Sequence, residues 1–256
     1  MSAFTLARRL RAGEIVYCGW CALGSPIVAE ALAREGFTAV SIDQQHGLWD
    51  VAATVTGIGA IHAAGSAPIV RVPHGDFAMV SRALDLGAEG VIAPMINTAE
   101  DARKFVAVAK FPPVGERSWG PNRAMMLGDF ADQKAYLRDA NDRTVTLAMI
   151  ETRTAMGNID AIAATPGIDV LFVGPSDLSI TLSDGAVLDP LSKEVEARLV
   201  EVVAAAKKAG KVAGLYCGNA ARAAAMAKRD FSFLAVGSDL GFLREGAAPH
   251  LKTLKG

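Results

Sequence analysis

Short apolar runs alternate with longer, alanine-rich stretches along most of this chain. The runs are IVYCGW (15–20), TAVSID (38–43), APIVRV (67–72), GVIAP (90–94), TLAMIE (146–151), VLFVG (170–174), VAGLYC (212–217) and FLAVG (233–237). They are rich in Val, Ile and Leu, with little polar–apolar alternation. Parallel strands covered by helices on both faces read this way. The stretches between them carry helix punctuation. SPIVAEALAREG (25–36) offers Ser25 as an N-cap and Gly36 just past its end, and NTAEDARKFVAVAK puts Thr98 and two acidic residues in the first turn of a helix over 98–110. Eight strands, each followed by a helix, predict one (β/α)8 barrel domain over residues 1–256. A doubly wound sheet would call for a Gly-x-Gly-x-x-Gly turn after the first strand, and none is there. The opening MSAFTLARRLRAGE reads as a short amphipathic helix. One long loop at about 111–144, rich in Pro, Gly and Arg, interrupts the alternation.

Composition narrows the partners. A chain of 256 residues suffices for such a barrel, and a net charge of −1 with no basic stripe argues against nucleic acid. No apolar run is long enough to span a bilayer, and the N-terminus lacks the features of a signal peptide. No membrane partner and a cytoplasmic location are therefore expected. Three cysteines make no disulfide framework. CGWC at 18–21 is nonetheless a C-x-x-C, which reads either as a redox pair or as two cysteines packed along a strand. A chain of barrel size favours packing.

In a barrel the catalytic groups gather at the C-terminal strand ends. Strand one ends near Trp20. Strand two delivers Asp43, followed by Gln44, Gln45 and His46; strand three offers Arg71; strand five ends in Glu151; strand six runs through Gly174 to Asp177. Carboxylates on neighbouring strands repel unless a cation lies between them, and oxygen donors suit Mg²⁺ or Mn²⁺. Glu151 and Asp177 are thus candidate metal ligands, with a helix N-cap as the other reading of Asp177. Arg71, inside an apolar run, is either a cross-barrel ion pair or an anion clamp. His46 has the range for proton transfer near neutral pH, and Asp43 is placed to orient it. No lysine stands at a C-terminal strand end, so an imine mechanism is not expected; if the barrel handles a keto acid, a metal must serve as electron sink.

The motifs IDQQHG, VRVP, ALDLGAEGVIAPMINTAEDA, PPVGERSWGP, MIET, GIDVLFVGPSDLS and LAVGSD, in this order, resemble the HpcH/HpaI family of class II pyruvate aldolases. The resemblance covers nearly the whole chain. It implies a barrel with a C-terminal helix swapped between subunits, assembled as a hexamer, a trimer of dimers. It also implies reversible aldol addition of pyruvate to an aldehyde, dependent on Mg²⁺, Mn²⁺ or Co²⁺. By motif, Glu151 and Asp177 would hold the metal, Arg71 would bind pyruvate and stabilise its enolate, and His46 with Asp43 would move the proton. Gly174, Pro175, Ser176 and Asp177 would hold the pyruvate carboxylate, with Leu215 and Trp20 lining the site. Arg117 and Trp119 would sit at the rim. Two positions depart from the family pattern: Gln45 stands where Glu is common, and Met149 where Gln is common. The alternative within the same family is a metal-dependent acyl-CoA ester lyase of the citrate lyase β type, which would need basic residues such as Arg117 and Arg123 near the mouth.

Overall fold

Residues 4–255 are described by a computed structural model. The eight apolar runs are strands in it, each within one residue of its expected bounds. They are β1 (Val16–Cys21), β2 (Ala39–Asp43), β3 (Ala67–Arg71), β4 (Gly90–Ala93), β5 (Val145–Ile150), β6 (Val170–Val173), β7 (Val212–Tyr216) and β8 (Phe233–Val236). All neighbours pair in parallel and the sheet closes in sequence order, β8 returning to β1. The helices are α1 (Leu6–Arg11), α2 (Pro26–Arg34), α3 (Val51–Ala63), α4 (Phe77–Asp85), α5 (Ala99–Ala109), α6 (Asn122–Leu127), α7 (Gln133–Arg143), α8 (Arg153–Gly157), α9 (Ile159–Ala163), α10 (Pro175–Leu182), α11 (Lys193–Ala209), α12 (Ala220–Ala227) and α13 (Asp239–Lys255). Caps mark several starts. Thr98 and Asp101 form a capping box on α5, while Ser25 stands at the start of α2 without a side-chain cap bond.

Strand alternation sorts the core into two layers. Cys18, Trp20, Ile69, Leu147, Met149, Phe172 and Phe233 fill the barrel, whereas Val40, Ile42, Val70, Ile150, Leu171 and Leu215 pack outward under the helices. Leu6 and Leu10 of α1 join the interior layer and plug the N-terminal end. Glu89 tethers this plug, accepting the backbone N–H groups of Phe4 and Leu6 at 2.9 Å each.

Alternation also decides the fate of C-x-x-C. Residues three apart on a strand point to opposite faces, so Cys18 lies inside the barrel and Cys21 outside it. The redox reading fails on this geometry. All three thiols are free and buried, and burial pushes the Cys217 thiol up to about 12.

The segment 111–144 differs from the expected loop because it carries α6 and α7. It joins α5 to β5 and therefore belongs to the N-terminal face. Phe4, Phe111, Ala124, Tyr136 and Ala140 form a small core there. Arg117 is buried in it, bonded to Asp85 at 2.5 Å and lying 4.6 Å from the Phe111 ring centroid. Arg123 donates to the Leu86 carbonyl. The expected rim position of Arg117 and Trp119 is thus corrected: both lie at the end opposite the strand C-termini. The last helix, α13, buries only Asp239.

Candidate active site

At the C-terminal ends of the strands lies a cavity of about 310 Å³. Interior-facing residues build it, because strand alternation turns Trp20, Asp43, Arg71, Met149, Phe172 and Tyr216 the same way. Gly174 to Asp177, at the start of α10, close one side, and His46 closes another.

Asp43 and Arg71 form the rigid centre. Parallel register sets them opposite one another on β2 and β3. The guanidinium meets the carboxylate as a fork, Nε to Oδ1 at 2.9 Å and Nη2 to Oδ2 at 2.6 Å. Trp20 Nε1 donates to Oδ2 at 3.2 Å, and its ring centroid lies 4.9 Å from the Arg71 guanidinium carbon. Burial alone would raise the Asp43 carboxyl, but the bonds and charge of Arg71 hold it below its ordinary value. This corrects the expected Asp43–His46 arrangement. Asp43 accepts the backbone N–H groups of Gln45 and His46, at 3.1 and 3.2 Å, and spends its other capacity on Arg71 and Trp20. It fixes the loop that carries His46 and does not touch the imidazole. That ring is exposed at the lip, without a protein hydrogen bond among the described residues.

Glu151 follows β5 directly and is buried. Its Oε1 accepts the Met95 N–H at 2.7 Å. Met95 takes a left-handed backbone, φ 56°, to aim that N–H, a conformation unfavourable for a side chain of its size. Gly174 packs against the carboxylate: a Cβ there would collide with Glu151 Oε2 and lie 2.9 Å from Met149 Cε. Burial, with the charge of Asp177 adding to it, raises Glu151 to about 7 against the pull of Met95 and Arg71. Asp177 is exposed in the first turn of α10. A buried carboxylate whose ionisation is made costlier by a second carboxylate nearby, the two supplying only oxygen donors, fits a hard divalent cation. Among the described residues no cluster of three or more His, Cys, Asp or Glu side chains could hold a metal. The remaining coordination would therefore come from substrate oxygens and water, which leaves open positions.

Tyr216 and Phe172 are cavity residues that sequence reading missed, and the strand period could have found both. Tyr216 packs edge-on against Trp20 at 5.3 Å, and Phe172 stacks on the same indole at 6.2 Å. The same period corrects Leu215, which points outward and does not line this cavity. Met95 left no signal in the sequence. Buried Lys110 lies far from the site, held at the N-terminal end by Asp169 at 3.1 Å and by the carbonyls of Asn141 and Thr144.

A closed barrel that gathers a buried arginine and carboxylates at the C-terminal ends of its strands defines a class, the (β/α)8 barrel enzymes. The chain belongs to the HpcH/HpaI aldolase/citrate lyase family, whose profile matches residues 17–246. It is 37% identical over 236 residues to the hydroxypyruvate/pyruvate aldolase of Rhizorhabdus wittichii, covering 92% of each chain. To the 4-hydroxy-2-oxovalerate aldolase of Novosphingobium aromaticivorans it is 40% identical over 204 residues, covering 78% of this chain and 77% of that one. The crystal structure of an HpcH/HpaI aldolase/citrate lyase family protein from Burkholderia cenocepacia matches with a TM-score of 0.90 at 34% identity, over 99% of this chain and 100% of that one.

Proposed function

We propose that the barrel of this chain is a class II aldolase that uses pyruvate as its nucleophile. It joins the pyruvate methyl carbon to the carbonyl carbon of an aldehyde, and in reverse it cleaves a 4-hydroxy-2-oxo acid. The observation that carries this reading is Glu151: a buried carboxylate, costly to ionise, beside Asp177 and the Arg71 fork. The backbone N–H groups of Ser176 and Asp177, at the start of α10, suit the pyruvate carboxylate. Arg71, held by Asp43 and Trp20, donates to the oxo oxygen as negative charge develops there, and its fixed geometry needs no reorganisation. A divalent cation, Mg²⁺, Mn²⁺ or Co²⁺, held by Glu151 and Asp177 supplies the Lewis acid when bound. Water takes the methyl proton of pyruvate as the enolate forms, and His46 delivers a proton to the oxygen of the former aldehyde carbonyl once the C–C bond is made, taking it back in cleavage. Trp20, Phe172, Met149 and Tyr216 provide the largely apolar walls against which pyruvate lies.

The acyl-CoA lyase reading loses its support, since Arg117 and Arg123 are engaged at the opposite end of the barrel. A hexamer built as a trimer of dimers, with α13 swapped between partners, goes with this reading. Leu240, Leu243, Leu251 and Leu254 leave that helix with an uncovered apolar face, Leu254 being 82% exposed. Three free cysteines suit a cytoplasmic setting, and no helix among the described residues is long and apolar enough to cross a membrane. The test is pyruvate release from 4-hydroxy-2-oxovalerate. It should stop in EDTA and return with Mg²⁺, Mn²⁺ or Co²⁺; release that EDTA does not touch would overturn the metal assignment.

A further inference from the structure

An aldol addition has two substrates, and the cavity described so far accounts for one. A second cavity, of about 330 Å³, adjoins it and shares Pro175, Ser176 and Tyr216 with it. The phenol of Tyr216 stands between the two, anchored by its hydroxyl to the Gly237 carbonyl at 3.2 Å. Beyond Tyr216 the walls are apolar, formed by Pro190, Leu191 and Leu215. Leu215, outside the first cavity, therefore lines the second. The polar lining is Ser176, shared with the first cavity, Asn219, whose Oδ1 accepts the Arg222 backbone N–H as the N-cap of α12, and Arg222 on the first turn of that helix, which brings the charge.

The charge around Arg222 is unbalanced. Glu196 receives both Arg222 and Arg229, one on each carboxylate oxygen. Two guanidinium groups against one carboxylate leave one positive charge over. Arg222 spends Nη2 on Glu196, and its other side-chain N–H groups have no protein partner among the described residues. Its side chain is 17% exposed, so the charge is screened by water only in part.

We infer that this second cavity receives the acceptor, an aldehyde whose far end carries a carboxylate, and that Arg222 reads that carboxylate. The inference rests on the pyruvate reading of the first cavity. The acceptor carbonyl lies at the seam by Ser176 and Tyr216, facing the nucleophile. Its chain runs along Leu191 and Leu215. Its terminal carboxylate meets the free N–H groups of Arg222. Arg222 is a specificity-determining residue here and takes no part in the bond-making step.

The experiment compares ω-oxo carboxylates of three to six carbons with unsubstituted aldehydes of the same lengths, each with pyruvate, by kcat/KM. Pyruvate methyl-proton exchange is measured on the same preparations. Wild type should favour the carboxylated series at one optimal length. Arg222→Gln, which leaves the Glu196–Arg229 pair in place, should lower the carboxylated-to-unsubstituted ratio by about 10- to 100-fold, the range of a charge-assisted hydrogen bond. Arg222→Lys should fall between the two. Leu191→Trp should depress the longest members of both series. Turnover of the unsubstituted aldehydes is the internal control for folding. A wild-type ratio near one, or an unchanged ratio in Arg222→Gln, would overturn the inference while exchange persists. No exchange in wild type would overturn the pyruvate reading and this inference with it.

Discussion

Glu151→Gln should make the metal-free protein more stable while abolishing its chemistry. Glu151 is raised to about 7 from an ordinary 4.5, chiefly by burial and further by the charge of Asp177. At about 1.4 kcal/mol for each tenfold change, that gap corresponds to about 3 kcal/mol. Its folded value lies above its unfolded one, so the native state binds the extra proton between about pH 4.5 and 7. Stability therefore falls as pH rises through that window and stays low above it. Glutamine keeps the acceptor for the Met95 N–H and removes the charge. The assay is urea unfolding in EDTA from pH 4.5 to 8.5. The variant should match wild type near pH 4.5 and exceed it by about 2–3 kcal/mol at pH 8. Saturating Mn²⁺ should close much of that gap for wild type alone, since a ligand at 100 times its Kd adds about 2.7 kcal/mol. A variant less stable than wild type at pH 8 in EDTA, or a difference independent of pH, would mean that the Glu151 carboxylate is not destabilised by its burial.

Asp43→Asn should cost about 3 kcal/mol at neutral pH, because it leaves the Arg71 guanidinium buried without its counter-charge. Asp43 titrates below its ordinary value, so its contribution is complete above about pH 4 and lost as pH falls through the folded value. Unfolding curves of the variant should lack that acid limb. Gly174→Ala should reduce pyruvate release by about 100-fold or more, since the new Cβ displaces Glu151 Oε2 and Met149; near-normal turnover would remove Glu151 from the site. Cys18, Cys21 and Cys217 should resist a thiol reagent in the folded protein and react together only on unfolding, and activity should be indifferent to reductant. Light scattering should give a hexamer, and removal of the α13 segment beyond Gly246 should break it into smaller species.

The barrel was legible because its strands are apolar on both faces, so each run announces itself whatever its neighbours are. Asp43, Arg71 and Glu151 were legible for a related reason: a charge at the end of a buried run is costly unless it has work to do. An ion pair was one of the two readings of Arg71, but the chain did not disclose its partner. Asp43 binds Arg71 across β2 and β3, a contact set by strand register over 28 residues of sequence, and adjacency in the chain pointed to His46 instead. Facing was readable but unread. Strand period turns Tyr216 inward and Leu215 outward, and the same period separates Cys18 from Cys21. The 111–144 segment misled because its Pro and Gly content hides α6 and α7, and because composition does not say at which end of the barrel a connection lies. Only its position after a helix and before a strand does.

The proposed chemistry turns on an enolate of pyruvate made at the mouth of this barrel with Glu151, Asp177 and Arg71 in concert. Exchange of the pyruvate methyl protons in D₂O, followed by NMR, tests it without any aldehyde. Exchange should occur in wild type, be abolished by EDTA, return with Mg²⁺ or Mn²⁺, and be missing in Glu151→Gln. Absence of exchange under every metal, or full exchange in Glu151→Gln, would contradict the proposed chemistry.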